Sequence, residues 1–352
     1  MGYQMNIPAN RITSWTRQGI ETCEYIGPEG IYWSRGPHIF HSETLEGPLI
    51  RIASIPRTAL QKILSLSRMG RRLARETFYN IFPVPNGDLF FSYGTEHGFI
   101  RNGKVRFLKG AARRHRILRG GAALLPDGSI VFGEYFDNSN REPVRIYRTH
   151  SDNDQLEEVY LFAPGEVRHI HSISWDRITS RIIVCTGDLE SECRIIAFSE
   201  NFSKHEVLGQ GTEDWRTISP QFSKHAIYYG TDAQFEQNRI LRFDRVSKTL
   251  SRLANVNGPV FYSFAVNDGW VFGTSAEMCP SQTSPEAILY HLDMQTEAVT
   301  ELARYSKDIW PTKYFQFGIF NFPILEKYRG HVPISGTALK GLDGPFITLD
   351  GQ

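Results

Sequence analysis

The chain has 352 residues, with 39 lysines and arginines against 38 aspartates and glutamates, so its net charge is +1. This balance argues against a general nucleic-acid or membrane-surface binder, which would carry a basic excess, and neither partner is expected. The four cysteines form no CxxC pair and are expected to be free thiols. Neither an apolar leader segment nor a run of about 18 apolar residues occurs. The sequence therefore predicts a cytoplasmic protein, with a trimmed secreted form left open.

A short phrase returns along the chain: an apolar run, then Gly, usually Thr, and usually an acidic residue. Its copies are Gly94-Thr95-Glu96, Gly133-Glu134, Thr186-Gly187-Asp188, Gly230-Thr231-Asp232, Gly273-Thr274-Ser275 and Gly336-Thr337-Ala338. The glycines at 187, 230 and 273 follow one another at intervals of 43 residues. A period in the low forties with four short strands per unit is typical of a β-propeller. Each copy is then expected on the same rim of one central funnel.

Taken in chain order, apolar runs and turn signals predict seven units of four antiparallel strands. The units span 22–66, 78–117, 118–163, 166–209, 215–254, 259–303 and 314–351. Turn residues such as Asn86-Gly87 and Asp127-Gly128 supply the positive φ that tight hairpins need. The whole chain, 1–352, is therefore predicted to be a single all-β domain, a seven-bladed β-propeller. Six blades are the alternative if the first or last unit is not a true sheet.

Two segments depart from this pattern. Segment 58–76 has a helical composition and predicts a helical insertion between the first two blades. Segment 11–19 precedes the first unit and is expected to supply the outer strand of the last one, which would close the ring. The basic residues within 68–75 and 113–116 are interpreted as a solvated charged face.

Charged residues recur at one predicted mouth of the funnel, where second strands end and first strands begin. Arg119 and Arg168 open two successive first strands, and Arg216 opens the next, directly behind Trp215. The second strands end in Glu134, Asp188 and Asp232. Two interpretations remain open and can both hold. The charges pair and tie neighbouring blades together, or the arginines receive a ligand that carries a carboxylate or sulfate.

His169 and His171 alternate along a predicted strand and therefore share one of its faces. Two imidazoles at this spacing can bind a divalent metal, the one cofactor that the sequence suggests, with Asp188 or Glu190 as an oxygen ligand. The alternatives are a structural pair of hydrogen-bonded histidines, or a neutral histidine that acts as an acid or base beside an arginine.

The loops after the second strands are unusually polar and include Gln237 and Asn238, with Tyr135, Trp215 and Tyr262 nearby in the sequence. Aromatic faces beside amides and acids suit sugar rings, and loops on a rigid scaffold often carry binding residues. Ordinary loop polarity with aromatic core residues is the alternative. Motifs of the GxSxG, HExxH, P-loop and GxGxxG types do not occur.

Several phrases between residues 119 and 245 carry a resemblance to a known family. They are GEYFDNSNREPVRIYRT, RHIHSISWD, TGDLESE, WRTISP and GTDAQFEQNRILRFDR. In them the chain resembles the sialidase-like, BNR-type β-propeller proteins of bacteria, which often accompany surface-polysaccharide genes. The resemblance implies Asp-box turns. At the corresponding turn this chain has Ser151-Asp152-Asn153-Asp154, which lacks the Gly and the Trp of the Asp-box motif. It also implies an arginine triad with a Tyr–Glu pair. Residues of the same types in this chain are Arg119, Arg168, Arg216, Tyr262 and Glu134.

Together these features predict a propeller that recognises an acidic, uronate-type oligo- or polysaccharide in its funnel. Two reactions fit if the protein is an enzyme. In a lyase, an arginine or a metal neutralises the uronate carboxylate while Tyr262 or a histidine moves the α-proton. In a glycoside hydrolase, Glu134 and Asp188 share the acid and base roles. The alternative is a non-catalytic scaffold whose top face or blade edges bind a protein partner.

Overall fold

Seven β-sheets stand around a central funnel in the computed structural model, which describes residues 11–328 and 330–350. The prediction of a seven-bladed propeller with four-stranded antiparallel blades is confirmed, and the six-bladed alternative is wrong. The termini of the predicted 1–352 domain lie outside the described residues. The four cysteines are free thiols, and three of them are buried.

The first strand, β1 (Ile12–Trp15), belongs to the last blade. The next strands form blades 1 to 3, each ordered from the funnel outward. Blade 1 contains β2 (Thr22–Gly27), β3 (Gly30–Arg35), β4 (His38–Ser42) and β5 (Ile50–Ser54). Blade 2 contains β6 (Phe78–Pro83), β7 (Leu89–Tyr93), β8 (Glu96–Arg101) and β9 (Lys104–Phe107). Blade 3 contains β10 (Ala122–Leu124), β11 (Ile130–Gly133), β12 (Val144–Thr149) and β13 (Glu157–Phe162).

Blades 4 to 6 repeat the same order. Blade 4 contains β14 (His169–Asp176), β15 (Arg181–Gly187), β16 (Arg194–Phe198) and β17 (His205–Gln210). Blade 5 contains β18 (Gln221–Phe222), β19 (Ala226–Gly230), β20 (Arg239–Asp244) and β21 (Leu250–Asn255). Blade 6 contains β22 (Val260–Val266), β23 (Gly269–Thr274), β24 (Glu286–Asp293) and β25 (Val299–Ser306).

The two ends of the chain meet in blade 7. Its strands are β26 (Ile319–Asn321), β28 (His331–Thr337), β29 (Phe346–Asp350) and, outermost, β1, which pairs with β29 so that Ile12 lies opposite Leu349. The prediction that 11–19 supplies this outer strand is confirmed. A further short strand, β27 (Ile324–Leu325), pairs parallel with β2 and adds a fifth strand to blade 1. The ring is therefore closed by hydrogen bonds across blade 7 and across its junction with blade 1.

The glycine of the repeated phrase stands where two blades approach closely. An added Cβ at Gly133 would overlap the side chain of Ile170 in the next blade. The same holds for two further pairs, Gly230 with Val260 and Gly273 with Phe322. Only glycine allows this approach, so the repeat is a packing requirement of the junctions between blades.

The inner strands of four blades carry a β-bulge near their start. The residues without a partner opposite them are Glu24, Tyr79, His171 and Phe261. A bulge interrupts the alternation of side chains and redirects one of them. Three of the four line the central cavity described below, and Glu24 forms an ion pair with Arg119. The bulges therefore direct side chains toward the funnel.

Three short helices cover one mouth of the funnel and are called the roof below. They are α1 (Ala59–Ser65), α2 (Arg68–Ala74) and α3 (Thr312–Phe315), and the first two occupy the segment with helical composition. Thr58 caps α1 in a capping box with Gln61, and Ser67 caps α2. At the other end of α2, Arg75 adopts a left-handed conformation with φ 52°.

A buried histidine pair lies between blades 2 and 3. The rings of His97 and His115 are 4.8 Å apart. His97 Nε2 donates to the backbone oxygen of His115 at 3.2 Å, and His115 Nδ1 donates to the backbone oxygen of Arg113 at 3.1 Å. The other nitrogen of each ring is buried without a hydrogen-bond partner. Burial therefore lowers the pKa of His97 to about 3 and that of His115 to about 4.

We expect this pair to make the fold sensitive to acid. Both side chains titrate near pH 6.5 when unfolded and well below it when folded, so the unfolded chain binds more protons in that window. Stability is therefore complete above about pH 6.5 and falls toward pH 4, by about 1–2 kcal/mol per histidine at pH 5. Urea unfolding between about pH 7.5 and pH 5 measures this slope.

The charged groups that face the pair are Glu96, Arg113 and Arg114. His115→Phe keeps an aromatic ring beside Phe132 and removes one titrating group, so its slope should be shallower than that of the unmodified protein. The exposed His225 provides the control, because His225→Gln should leave the slope unchanged. An unchanged slope in His115→Phe would contradict this assignment.

Candidate active site

The arginines of α2 hold the roof onto the mouth. The ion pairs are Arg72 with Asp308 at 2.7 Å and with Asp343 at 2.9 Å, Arg68 with Asp343, and Arg71 with Glu21. Only 6% of the Arg72 side chain is exposed. The interpretation of the basic residues in 68–75 as a solvated face is therefore wrong. Most of these arginines instead join the roof to carboxylates at the ends of neighbouring blades.

A cavity of about 170 Å³ lies beneath the roof in the funnel and is called the funnel cavity below. Its ionisable lining includes Arg75, Arg116, His171, Arg216, Asp232 and Glu277. Its aromatic lining consists of Tyr79, Tyr135, Phe261, Tyr262 and Phe317. A smaller cavity of about 70 Å³ shares Tyr79 and Tyr262 with it and contains Arg119. A few convergent polar groups in an aromatic pocket are the usual composition of a small-molecule site.

Behind one wall of the funnel cavity, two imidazoles and a carboxylate form a tight triangle. His169 Nε2 lies 3.2 Å from His171 Nε2, and Asp188 Oδ1 lies 3.5 Å and 3.3 Å from these two atoms. Both histidines are buried, and they come from inner strand β14, whereas Asp188 follows β15 directly. The two histidines therefore lie together, as their alternation in the sequence predicted, although the strand is bulged at His171. The alternative oxygen ligand, Glu190, is exposed in the next turn of chain.

A hydrogen bond orients the ring of His169 toward the centre of this triangle. His169 Nδ1 donates to the backbone oxygen of Phe136 at 3.2 Å, which leaves the lone pair on Nε2. His171 Nδ1 lies 3.8 Å from an oxygen of Asp232, beyond hydrogen-bond distance, and has no hydrogen-bond partner among the described residues. Burial lowers the pKa of His171 to about 4, so the ring is neutral at neutral pH. The backbone partner of His169 is of the kind that holds a metal-binding histidine in one tautomer.

The carboxylate of Asp188 stays ionised. Burial alone would raise its pKa, but contacts with the two imidazoles, together with the guanidinium groups of Arg168 and Arg216 at 2.8 Å and 3.2 Å, hold it well below the ordinary value. Its backbone has φ 124°, a strained conformation for a residue other than glycine. An added Cβ on the preceding Gly187 would lie 2.9 Å from His171 Cε1 and 3.0 Å from Arg216 Cγ. Glycine at this point of the repeat therefore lets the histidine and the arginine approach.

The dimensions and donor types of the triangle fit a divalent transition metal. An ion bound at about 2.1 Å to each donor would separate neighbouring donors by about 3.0–3.4 Å in octahedral or tetrahedral geometry. The three edges of the triangle measure 3.2, 3.3 and 3.5 Å. Two neutral imidazoles with one carboxylate are suitable ligands for such an ion. His169, His171 and Asp188 are therefore the residues that could hold it.

Two of the three arginines predicted from strand register meet at Asp188. Arg168 pairs with Asp188 at 2.8 Å and with Asp137 at 3.1 Å. Arg216 pairs with Asp188 at 3.2 Å and with Asp232 at 3.1 Å. Both guanidinium groups are thus engaged by carboxylates of the protein, as the pairing interpretation expected.

Arg119 lies apart from these two, in the smaller cavity. Its guanidinium pairs with Glu24 at 2.8 Å and donates to the backbone oxygen of Phe78 at 3.0 Å. Tyr262 lines both cavities and stands between them. The structure therefore does not bring Arg119, Arg168 and Arg216 together in one pocket, because Arg168 and Arg216 share Asp188 whereas Arg119 pairs with Glu24.

Two carboxyl groups face the funnel cavity, and one of them, Glu277, was not predicted. Burial raises the pKa of both Asp232 and Glu277. Arg216 opposes this shift at Asp232, where the pKa still rises to about 7, whereas no cation among the described residues lies within 4.0 Å of the Glu277 carboxyl group. Both carboxyl groups are therefore protonated more readily than free carboxylates. Glu277 lies four residues after the copy of the repeat at Gly273, where the acidic position is occupied by Ser275.

Sequence reasoning also missed Arg75 and Arg116, which line the funnel cavity and belong to the two basic stretches. Neither has a carboxylate partner within 4.0 Å among the described residues. In the sequence they could be recognised only as arginines, because the arrangement of the blades determines which arginines have a carboxylate partner.

Glu134, predicted as a catalytic carboxylate, is directed away from the funnel cavity. Its side chain is fully buried, accepts hydrogen bonds from Arg145 N at 3.0 Å and Tyr147 Oη at 3.2 Å, and lies 3.8 Å from Arg113 Nε. Its carboxylate therefore anchors neighbouring strands of blade 3 and cannot share acid and base roles with Asp188. The predicted hydrolase pair is wrong in this respect.

Two residues predicted to bind a ligand are already used in packing and hydrogen bonds within the protein. Trp215 packs on Gly209, where an added Cβ would overlap its ring, and against Phe243 with ring centroids 5.7 Å apart. Asn238 is buried, and its amide bonds Thr231, Ala233 and Ser281. Both are therefore corrected to structural roles. Gln237 is exposed and donates to the backbone oxygen of Val256 at 2.9 Å, and its ligand role stays a prediction.

The buried tyrosines of the cavity act as neutral hydroxyl groups. Burial raises the pKa of both Tyr135 and Tyr262 above the ordinary value. The ring of Tyr135 lies 4.1 Å from that of His169. Tyr262, predicted to move a proton, is therefore suited to donate a hydrogen bond and poorly suited to act as a base.

Comparisons with known proteins show the fold. No protein-family model and no curated protein matches the chain. The solved structure of oligogalacturonate lyase in complex with manganese aligns with 96% of this chain and 90% of its own, at a TM-score of 0.59 and 9% identity. A chain of the mitotic checkpoint complex aligns over 99% and 98%, at a TM-score of 0.56 and 7% identity.

A third likeness is to the extracellular domain of a protein described as a one-component system from B. thetaiotaomicron. It covers 96% of this chain but only 40% of that one, at a TM-score of 0.60 and 12% identity. The predicted resemblance to sialidase-like proteins is confirmed for the β-propeller fold, and its sialidase-type part has no support among these structures. No helix within residues 11–328 and 330–350 is long and apolar enough to cross a bilayer.

Proposed function

We propose that this propeller is a carbohydrate-active protein that binds an acidic, uronate-type glycan in the funnel cavity and cleaves it as a lyase. The observation that carries this proposal is the triangle of His169, His171 and Asp188, whose edges fit a divalent metal and which borders the cavity through His171. Oligogalacturonate lyase, solved with manganese, has the same fold and supports the choice of metal and substrate class.

The residues around the cavity supply the remaining requirements of an elimination. When bound at the triangle, a divalent cation would offer positive charge to the uronate carboxylate and so acidify the adjacent carbon. The Asp232 carboxylate accepts the proton from that carbon, and the electron pair forms a carbon–carbon double bond as the glycosidic carbon–oxygen bond breaks. Glu277, whose pKa is raised by burial, supplies a proton to the departing oxygen. Tyr262 donates a hydrogen bond within the same cavity.

A direct test combines metal analysis with a cleavage assay. The purified protein is dialysed against manganese, its metal content is measured, and it is incubated with oligogalacturonate. We expect about one manganese ion per chain and an ultraviolet-absorbing unsaturated uronate product. His171→Ala should lose the stoichiometric metal and at least about 100-fold of the activity. The exposed His225 provides the control variant His225→Ala, which should retain both.

The possible results separate the parts of the proposal. Reducing ends without an unsaturated product would replace the lyase by a hydrolase, since hydrolysis adds water and forms no double bond. Full activity in His171→Ala or in chelator would refute the role of the metal. Failure of the protein to bind or cleave any acidic or neutral oligosaccharide would refute the carbohydrate function and favour a protein-binding scaffold.

A further inference from the structure

We infer that Arg75 and Arg116 form a carboxylate-binding subsite that is completed by the roof. Arg75 ends helix α2 of the roof, whereas Arg116 lies in the connection that leads into blade 3. Both line the funnel cavity, so a ligand held by both would connect the roof to the wall of the funnel formed by Arg116. This inference rests on the proposed function only for the uronate class of the ligand.

The pairing of the other arginines around the two cavities singles out these two. The paired ones are Arg68, Arg71, Arg72, Arg119 and Arg216, each with a carboxylate of the protein. Arg75 makes one long hydrogen bond, from its NH2 group to the backbone oxygen of Lys313 at 3.4 Å. Arg116 Nε is buried without any hydrogen-bond partner. Burying a guanidinium nitrogen without a partner is costly, and a ligand anion would remove that cost.

Backbone hydrogen bonds fix the main chain at both arginines. The N–H group of Arg75 donates to the carbonyl oxygens of Arg71 and Arg72, and its left-handed φ of 52° turns the chain at the end of the helix. Arg116 exchanges two backbone hydrogen bonds with Tyr135, at 2.7 Å and 3.1 Å, beside the triangle of metal-binding residues. A site on rigid backbone loses little entropy when it binds a ligand.

The chemistry of the subsite selects a planar anion attached to a ring. A guanidinium group matches a carboxylate with two parallel hydrogen bonds. The apolar surface around the two arginines comes from Tyr79, Leu118, Phe261 and Phe317, which suits the face of a sugar. A uronic acid combines these two features, whereas a neutral hexose has only the second.

The test measures binding without catalysis. Chelator-treated protein is titrated with galacturonate and with galactose by calorimetry. We expect galacturonate to bind and galactose to bind at least about tenfold more weakly. Arg75→Gln and Arg116→Gln should each weaken galacturonate binding by about 10–100-fold, because each removes a charged hydrogen bond. Their melting temperatures should stay close to that of the unmodified protein, since no protein carboxylate loses its partner.

Matched controls remove the same charge nearby. Lys62→Gln changes an exposed residue of α1, and Arg114→Gln changes an exposed residue two positions before Arg116, and neither residue lines the funnel cavity. Both should retain full affinity. Hydrogen exchange supplies a second readout, because galacturonate should slow amide exchange in α2 of the unmodified protein and not in Arg75→Gln.

The results distinguish this subsite from the lyase activity. Galacturonate binding that depends on Arg75 and Arg116 supports the subsite even if the cleavage assay shows no product. Unchanged affinity in both variants, equal binding of galactose, or no binding by the unmodified protein would overturn it, even if a lyase activity is found.

Discussion

Replacing Arg216 by alanine is expected to destabilise the fold by about 3–5 kcal/mol, because two buried carboxylates lose their common partner. Arg216 lies 3.1 Å from Asp232 and 3.2 Å from Asp188, and only 11% of its side chain is exposed. Removing one member of a buried charge network leaves uncompensated charge in a medium that solvates it poorly. Urea unfolding of metal-free protein measures the loss directly.

A matched replacement tests whether burial causes this effect. Arg252 also pairs with an aspartate, Asp214, at 3.2 Å, but 62% of its side chain is exposed. Arg252→Ala should therefore cost less than about 1 kcal/mol. Equal stability of Arg216→Ala and the unmodified protein would show that the arginine does not tie the blades together.

Arg119→Ala is expected to cause a loss of the same order, about 3–5 kcal/mol, on the other side of Tyr262. Only 7% of the Arg119 side chain is exposed, and Glu24, its partner at 2.8 Å, is fully buried. Glu24 also accepts a hydrogen bond from Ser34 at 2.5 Å, which does not neutralise its charge. The variant leaves this carboxylate without a cation, and thermal and urea unfolding should both report the change.

A double replacement separates the pair from its surroundings. In Arg119→Met combined with Glu24→Gln, neither charge remains, so the loss of stability should be smaller than the sum of the two single losses. Additive losses would mean that Arg119 and Glu24 do not stabilise each other, and would assign the effect of Arg119→Ala to lost packing alone.

These two arginines also show why the candidate site could be predicted only in part. Their register at the starts of inner strands was visible in the sequence and predicted carboxylates beside them. Arg216 does pair with Asp188 and Asp232, whereas Arg119 pairs with Glu24, which the register did not indicate. Whether an arginine is paired or free depends on carboxylates that lie far away in the sequence, as Glu24 does from Arg119. Arg75 and Arg116 became ligand candidates only because the folded ring leaves them without such a partner.

The chain by itself determined the propeller, because the features that specify it are local. A glycine is needed wherever two blades come too close for a Cβ, so the repeat that marks Gly133, Gly230 and Gly273 records the packing of each junction. Hairpin turns and helix caps follow from short-range rules in the same way. The closing strand at 11–19 pairs with the far end of the chain, and it was predicted because the last unit lacked an outer strand. His169 and His171 could be paired from sequence because they lie two positions apart.

Only the tertiary structure decided the composition of the site. Bulges near the starts of inner strands redirect His171 and Tyr79, and a bulge depends on how two strands pair rather than on the sequence of either. Glu134 is an acidic residue of the repeat, but it is buried and hydrogen-bonded within blade 3. Glu277 lies outside the repeat, and yet it faces the funnel cavity. Charge, burial and access to the funnel are properties of the closed ring, because each side chain there is surrounded by residues from several blades.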